Sequence, residues 1–484
     1  MVAAACFAWQ PNTVASTGLD APHATHGPAI FAHPPITPSL SEPDWDTQQQ
    51  LRALEERLAR LEQPPCDSAC FDTEPQNARP KVPDGVTLEV HGRIHADLWA
   101  FPGDSPGVNG FETGDPDVSP QDRLGFRRLR IDVRGELPAG MLYKLETELA
   151  GGNESEFRDI YLGWKDLPWV QRVLIGNQKR PYGLDHLNSS NFNVFLERPF
   201  VIEGFNQDAR RVGVSSYGVS DSKRWNWQYG LFNQRLIQDE GLYTSDHWQA
   251  QVAGRIANTA WWDSESDGAN YAHWALAGTW ANTDENADDD TPAGSGVNEA
   301  DFRTRPEART VRRWLDTDDI DGGDDYTLLG VEGVVNLGPL QLVSEYQNTW
   351  LNRPGLEDLH FHGGYVYLSY FLTGEHMPWN RQAGKLGRVK PRRNFSFGNR
   401  CGDRGCGAWQ IAARYSYADF TDADVRGGIG ESLTLGLNWY WSPNAKMQFN
   451  YIYGEITDSR LNDSNPAPNS GDYHLIGTRF LVNF

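Results

Sequence analysis

What the chain lacks narrows its class first. No stretch of 18 or more apolar residues occurs, so a transmembrane helix is excluded. A membrane barrel is not, because barrel strands hide their lipid face in alternation. Basic residues are outnumbered 65 to 43 and the net charge is −22. A nucleic-acid binder needs a basic footprint for the phosphates, so no nucleic acid is expected as a partner. Methionine is scarce at 4 residues, whereas aromatics make up 12% of the chain and glycines number 48. That balance suits many strands joined by turns, not a helical bundle. Five cysteines are too few for a disulfide scaffold. Their spacing still matters: Cys66 with Cys70, and Cys401 with Cys406, are close pairs in loop-like sequence. They are candidate disulfides of an oxidising compartment, with inert thiols as the alternative. Neither pair has histidine at ligand spacing, so neither a zinc site nor any cofactor is expected. No nucleophile elbow, Walker loop or zinc-protease motif is present, which argues against an enzyme.

Residues 1–8 (MVAAACFA) read as the remnant of a secretion signal, small and apolar but without a basic start. Residues 9–45, rich in Pro, His, Ser and Thr, are expected to be disordered. Residues 46–63 predict one helix, opened by Pro43, Asp44 and Asp46 and stopped by Pro64-Pro65. Within it Leu51, Leu54, Leu58 and Leu61 fall on the a and d positions of two heptads. A short periplasmic coiled coil follows, with a helix lying on its own domain as the alternative at so marginal a length. Residues 64–85 read as a linker.

From residue 86 to 484 the dominant period is two. Leu433, Leu435, Leu437, Trp439 and Trp441 alternate with Thr434, Gly436, Asn438 and Tyr440. Such strands have one apolar and one polar face. Sixteen candidate strands can be counted, an even number of about the length a bacterial outer-membrane barrel uses. Short connections at 138–140, 338–339 and 442–444 alternate with long ones at 101–124, 282–325, 373–406 and 456–471. A soluble sandwich would share the alternation. Two features favour the barrel: Trp99, Trp164, Trp169, Trp280, Trp350, Trp439 and Trp441 at strand ends as aromatic girdles, and a last strand whose Ile476, Phe480, Val482 and terminal Phe484 resemble a barrel-insertion signal. The expected fold is therefore an all-β, 16-stranded antiparallel transmembrane barrel over 86–484, in the bilayer of a bacterial outer membrane.

If apolar residues face lipid, the opposite face lines the pore. On 125–137 this turns Arg128, Arg130, Asp132 and Arg134 inward; on the first strand it turns His91, Arg93, His95 and Asp97; on the third, Lys144, Glu146 and Glu148. A stripe of arginines in a low-dielectric wall concentrates anions, and arginine matches phosphate bidentately. The competing reading is that these arginines pair with Asp132, Glu146 and Glu148 across strands and only stiffen the wall. Residues 177–206 are too polar and too broken by Gly and Pro to continue a strand. They are expected to fold into the lumen, with Lys179, Arg180 and Arg198 as constriction charges and Asp185 and Glu197 as acidic partners.

These residues resemble the phosphate-selective porin O and P family over most of 86–484. Gly92-Arg93-Ile94-His95-Ala96-Asp97 is similar to its first strand and Phe126-Arg127-Arg128 to its paired-arginine strand. Gly183-Leu184, Asn188-Ser189-Ser190 and Leu196-Glu197-Arg198 resemble its constriction loop. Leu372-Thr373-Gly374-Glu375, Val389-Lys390-Pro391, Gly407-Ala408-Trp409 and Leu435 to Tyr440 resemble its C-terminal half. The resemblance implies a homotrimer that passes small anions, phosphate among them, through an arginine-lined constriction. It places the family's arginines on Arg93, Arg127, Arg128 and Arg198, with Arg303 and Arg305 as a further Arg-x-Arg-Pro element. Strand parity turns Arg127 away from Arg128 unless the strand is bulged there. The chain also departs from the family. The stretches 86–91 and 348–359, which carry lysine ladders in the best-known members, hold no lysine, and a constriction-loop lysine corresponds to His186. Anion preference without phosphate specificity fits these departures.

A purely structural envelope protein, whose heptad segment tethers it to a periplasmic layer, is one alternative; two further functions compete with the channel. One is a general porin for small polar solutes or sugars, which lumenal Trp99 and Tyr217 would suit. The other, of a different class, is a secreted β-rich carbohydrate-active enzyme using carboxylates such as Glu146 with Glu148, or Asp159 with Glu156. His360 and His362 share a strand face, as metal ligands could, but an aqueous strand face is the preferred reading.

Overall fold

The structure is a computed structural model that describes residues 85–151, 155–206, 209–234, 248–283, 300–396 and 405–484. The signal remnant, the heptad helix at 46–63, Cys66, Cys70 and Cys401 lie outside the described residues.

Strands alternating at period two can satisfy their backbone in a membrane only by closing on themselves. The chain does so with sixteen antiparallel strands. Numbered along the chain, they are β1 (Glu89–Asp104), β2 (Arg123–Leu137), β3 (Met141–Glu148), β4 (Glu156–Leu167), β5 (Gln171–Lys179), β6 (Arg210–Val219), β7 (Trp225–Asn233), β8 (Ala250–Trp262), β9 (Asn270–Asn282), β12 (Asp325–Leu337), β13 (Leu340–Asn352), β14 (Leu359–Phe371), β17 (Ala408–Asp422), β18 (Val425–Ser442), β19 (Ala445–Ser459) and β20 (Gly471–Asn483). The barrel closes where β1 pairs with β20, Ile94 opposite Val482 and Ala96 opposite Phe480. Two small hairpins lie outside this ring: β10 (Ala300–Thr304) with β11 (Leu315–Ile320), and β15 (Trp379–Asn380) with β16 (Lys385–Leu386).

The expected facing holds. On β13, Gln341, Val343, Glu345, Gln347 and Thr349 are buried inside, while Leu342, Tyr346 and Trp350 are exposed outside. Trp280, Trp350, Trp439 and Trp441 follow the same parity onto the outer wall. Trp99 does not belong with them. It is 1% exposed, points inward, and sits so close to Gly477 that a side chain there would strike its ring. His360 and His362 also differ from expectation. They stand on the outer face of β14, stacked on each other at 5.3 Å and against Trp350 at 5.2 Å. They sit beside Trp350 on the outward-facing wall of the barrel.

One long connection is on the unexpected side. Successive strands run antiparallel, so connections alternate between the two ends of the barrel. The short turns at 138–140, 168–170, 220–224, 338–339 and 443–444 share an end with 372–407, the connection that carries β15 and β16. Length alone grouped 373–406 with the long loops. Parity puts it at the short-turn end, which is periplasmic in such barrels, and its residues turn back into the lumen.

The lumen is half filled by apolar residues. The β5–β6 connection contains two short helices, α2 (Leu184–Leu187) and α3 (Phe200–Phe205); α1 (Pro106–Thr113) lies in the first connection. Phe205 packs on Phe302 and Phe420 at 5.8 and 5.2 Å, and Phe195 meets Tyr367 edge-on at 5.6 Å. A hydrophobic core thus occupies the β13–β20 side. Open space is left beside β1 to β8.

Candidate pore constriction

The inserted β5–β6 connection is held by carboxylates and cations from the wall. The first amides of α2 lack intrahelical acceptors. Glu345 of β13 takes them, accepting from the Leu184 and Asp185 amides at 2.8 and 2.7 Å and from the Tyr365 hydroxyl at 2.5 Å. Farther along, Lys446 donates to the Asn193 carbonyl at 2.8 Å, Asn438 to Val194 at 2.9 Å and Arg414 to Glu197 at 3.0 Å. The Glu197 side chain is shared by Arg127 at 2.8 Å and Arg479 at 2.6 Å.

The paired arginines Arg127 and Arg128 both reach the lumen. His95 pairs with Arg128 and the next residue, Ala96, with Phe126, so Arg127 is the extra residue of a β-bulge. The bulge breaks the parity that would have turned Arg127 outward.

The loop and the β1–β6 wall enclose a cavity of about 230 Å³. Six arginines (Arg93, Arg128, Arg130, Arg134, Arg198, Arg210) and three lysines (Lys144, Lys179, Lys385) line it, against two carboxylates, Glu146 and Asp159. Part of this charge is a lattice. Arg130 pairs with Glu148 at 2.6 Å and Glu146 at 3.2 Å. Lys144 bridges Glu146 and Asp159 at 2.6 Å each, and Arg210 meets Asp159 at 2.5 Å. Arg93 reaches Glu146 at 3.5 Å and the Ser190 hydroxyl at 3.3 Å. Arg198 pairs with Asp185 at 2.9 Å and Arg134 with Glu89 at 3.4 Å. The cross-strand pairing with Glu146 and Glu148 anticipated as the competing reading is therefore present.

It does not use up the charge. Nε and Nη1 of Arg128 are buried without a hydrogen-bond partner among the described residues. Among the described residues Lys179 donates only to the carbonyls of His186 and Asn188, at 2.6 and 3.0 Å. Lys385, on β16, has no carboxylate partner among the described residues. His186 adds no charge. Burial first, then Lys179 and Arg180, lowers its pKa well below the ordinary imidazole value.

Of the residues expected at the constriction, Arg93, Arg128, Arg130, Arg134, Lys179 and Arg198 line this cavity together, while Arg127 is turned to Glu197 beside it. Arg303 and Arg305 lie elsewhere. They belong to the β10–β11 connection at the opposite end from the short turns. Arg303 is tied to Asp301 of its own strand at 2.8 Å, and Arg305 donates to the Thr310 carbonyl at 3.0 Å. The hairpin closes on itself and packs on α3 and β18 through Phe302 and Leu315, which keeps both arginines out of the cavity. Arg210 and Lys385 line the cavity but were not singled out in the sequence. Arg210 was legible as the strand start facing Lys179. Lys385 was hidden by the sidedness of its connection.

An uncharacterized protein of Caulobacter vibrioides is 27% identical over 339 residues, 68% of this chain; the chain spans 62% of that relative's length. The trimer form of the outer membrane protein OmpT of Vibrio cholerae matches with a TM-score of 0.49 and 14% identity, over 83% of this chain and all of that one. An anion-selective porin from Comamonas acidovorans matches with a TM-score of 0.48 and 13% identity, over 82% of this chain and all of that one. The model of phosphate-selective porin O and P matches residues 90–484, which is the whole barrel but for the first residue of β1, and the chain belongs to this family of bacterial outer-membrane porins.

Proposed function

We propose that the protein is a passive channel for small anions, with its selectivity set at the cavity between the β5–β6 connection and the β1–β6 wall. One observation carries the reading: nine cations and two carboxylates line the cavity, and Nε and Nη1 of Arg128 have no hydrogen-bond partner among the described residues. In a low-dielectric wall such a surplus focuses the field on a passing anion. The channel reading accounts for the carboxylates that an enzyme would need, because Glu146, Glu148 and Asp159 are each engaged by arginine or lysine. We infer a homotrimer as the working unit. The outer wall of β1 and β2 presents Ile94, Leu98, Phe126 and Ile131, an apolar face that suits packing against neighbouring copies.

The test is the reversal potential of the purified protein in planar bilayers under a KCl gradient. A potential favouring chloride is expected. A cation-favouring potential overturns the proposal.

A further inference from the structure

The charged cavity has a neighbour of different chemistry. A second space of about 190 Å³ lies beside it, and the two share Asp159, Lys179, Leu187 and Lys385. Its neutral polar lining is phenols and amides, Tyr161, Tyr217, Gln178, Asn226, Gln228 and Gln382, beside the charged Arg255 and the shared Asp159, Lys179 and Lys385. The periplasmic-side connection forms one wall and is fixed in place. Asn226 donates to the Arg381 and Gln382 carbonyls at 2.9 Å each, and Arg255 donates to the Gly384 carbonyl at 3.0 Å. Arg172 lies over the Tyr217 ring at 4.7 Å and donates to its hydroxyl.

Inorganic phosphate would need only the first space. The second holds hydrogen-bonding groups in excess. The Tyr161 hydroxyl and the side-chain amides of Gln228 and Gln382 have no protein partner among the described residues. Amides and phenols both donate and accept, which matches hydroxyl groups. A site with such groups to satisfy discriminates against a solute that lacks hydroxyls. Its aromatic residues are the two phenols and Trp227. The Trp227 ring lies on the outer face of β7, covering Gly218. Either space alone is smaller than the roughly 300 Å³ at which small-molecule sites begin, and joined they exceed it.

We propose that the pore is built for sugar phosphates, the phosphate held between Arg128 and Lys385 and the hydroxylated body lodged against Tyr161, Gln228 and Gln382. This rests on the anion-channel reading above and names its substrate class.

The test measures block of single-channel chloride current by inorganic phosphate, glucose 6-phosphate, phenyl phosphate and glucose. Glucose 6-phosphate is expected to half-block at roughly one-tenth the concentration of inorganic phosphate, the gain from one or two added hydrogen bonds. Tyr161→Phe with Gln228→Ala should raise the ratio of the glucose 6-phosphate to the inorganic phosphate value roughly five-fold. Equal block by the two phosphates, or tighter block by phenyl phosphate, overturns the sugar-phosphate assignment while leaving the anion channel standing. Block by glucose as strong as by its phosphate overturns the phosphate half. Absence of phosphate block together with a cation-favouring reversal potential removes the anion channel, and this assignment falls with it.

Discussion

At the scale of single residues, two neighbouring arginines of one strand face should behave oppositely. Arg128 and Arg130 are both buried, but among the described residues only Arg130 is paired, with Glu146 and Glu148. Removing Arg128 strands no carboxylate. Arg128→Ala should therefore fold and melt close to the parent while its chloride preference drops clearly in the reversal potential. Removing Arg130 leaves Glu148 without its counter-ion in a buried site, a loss of about 3–5 kcal/mol. Arg130→Ala should melt well below the parent, and an unchanged melting temperature would show that the lattice is dispensable. Strand parity made the inward direction of Arg128, Arg130 and Arg134 legible in the sequence. Which of them keeps a spare charge was not, because that depends on Glu146 being shared among Lys144, Arg93 and Arg130 across three strands.

At the scale of elements, the lumenal connections are held by buried acids whose loss has a local readout. Glu307, 1% exposed, accepts from Arg414 at 2.6 Å, Ser432 at 2.9 Å, Thr434 at 3.2 Å and the Phe200 amide at 3.3 Å. It joins the β10–β11 connection to α3 and to the wall. Glu307→Ala abandons the buried Arg414 charge, so about 3–5 kcal/mol of docking should be lost. Hydrogen exchange at 200–205 and 300–320 should speed up while β1–β4 keep their protection. Asp301 supplies a pH signal in the same hairpin. Burial pushes its carboxyl up from the ordinary 3.8 to about 7, against the pull of Arg303. The folded hairpin then holds the proton more tightly than the unfolded chain does. Its stabilising contribution is full below pH 4 and is lost as pH rises from there through 7. Intrinsic-rate-corrected exchange of 300–320 should be slower at pH 5 than at pH 8, and Asp301→Asn should flatten the difference; a profile unchanged by that substitution would sink the assignment. Neither anchor was legible. Residues 282–325 and 373–406 read as loops by composition, and nothing in composition says that Phe302 or Trp379 is buried inside a barrel or from which end each connection enters.

At the scale of the whole molecule, the net charge of −22 is compatible with the anion channel proposed above, because part of the acidic excess lies away from the cavity. Glu431, Glu455 and Asp472 lie side by side on the outer wall of β18, β19 and β20, whereas the arginines converge inside. The charge along the cavity wall cannot be obtained by summing the chain. Period two reads part of it, because it sorts residues by face before any charge is counted. The separation predicts a salt dependence. At 0.1 M salt the Debye length is about 10 Å, and at 1 M about 3 Å. Cations that act on an ion across the width of a narrow lumen are effective at the first and screened at the second. Chloride preference should therefore be strong in a gradient centred near 0.1 M and shrink markedly near 1 M. Direct contact is screened less, so half-block by a bound phosphate should weaken more slowly over the same range. If both fall in parallel, selectivity arises from the diffuse field of the vestibules and Arg128 is not its seat. If the chloride preference persists undiminished at 1 M, ions touch the guanidinium as they pass, and the constriction is narrower in use than the 230 Å³ cavity at rest.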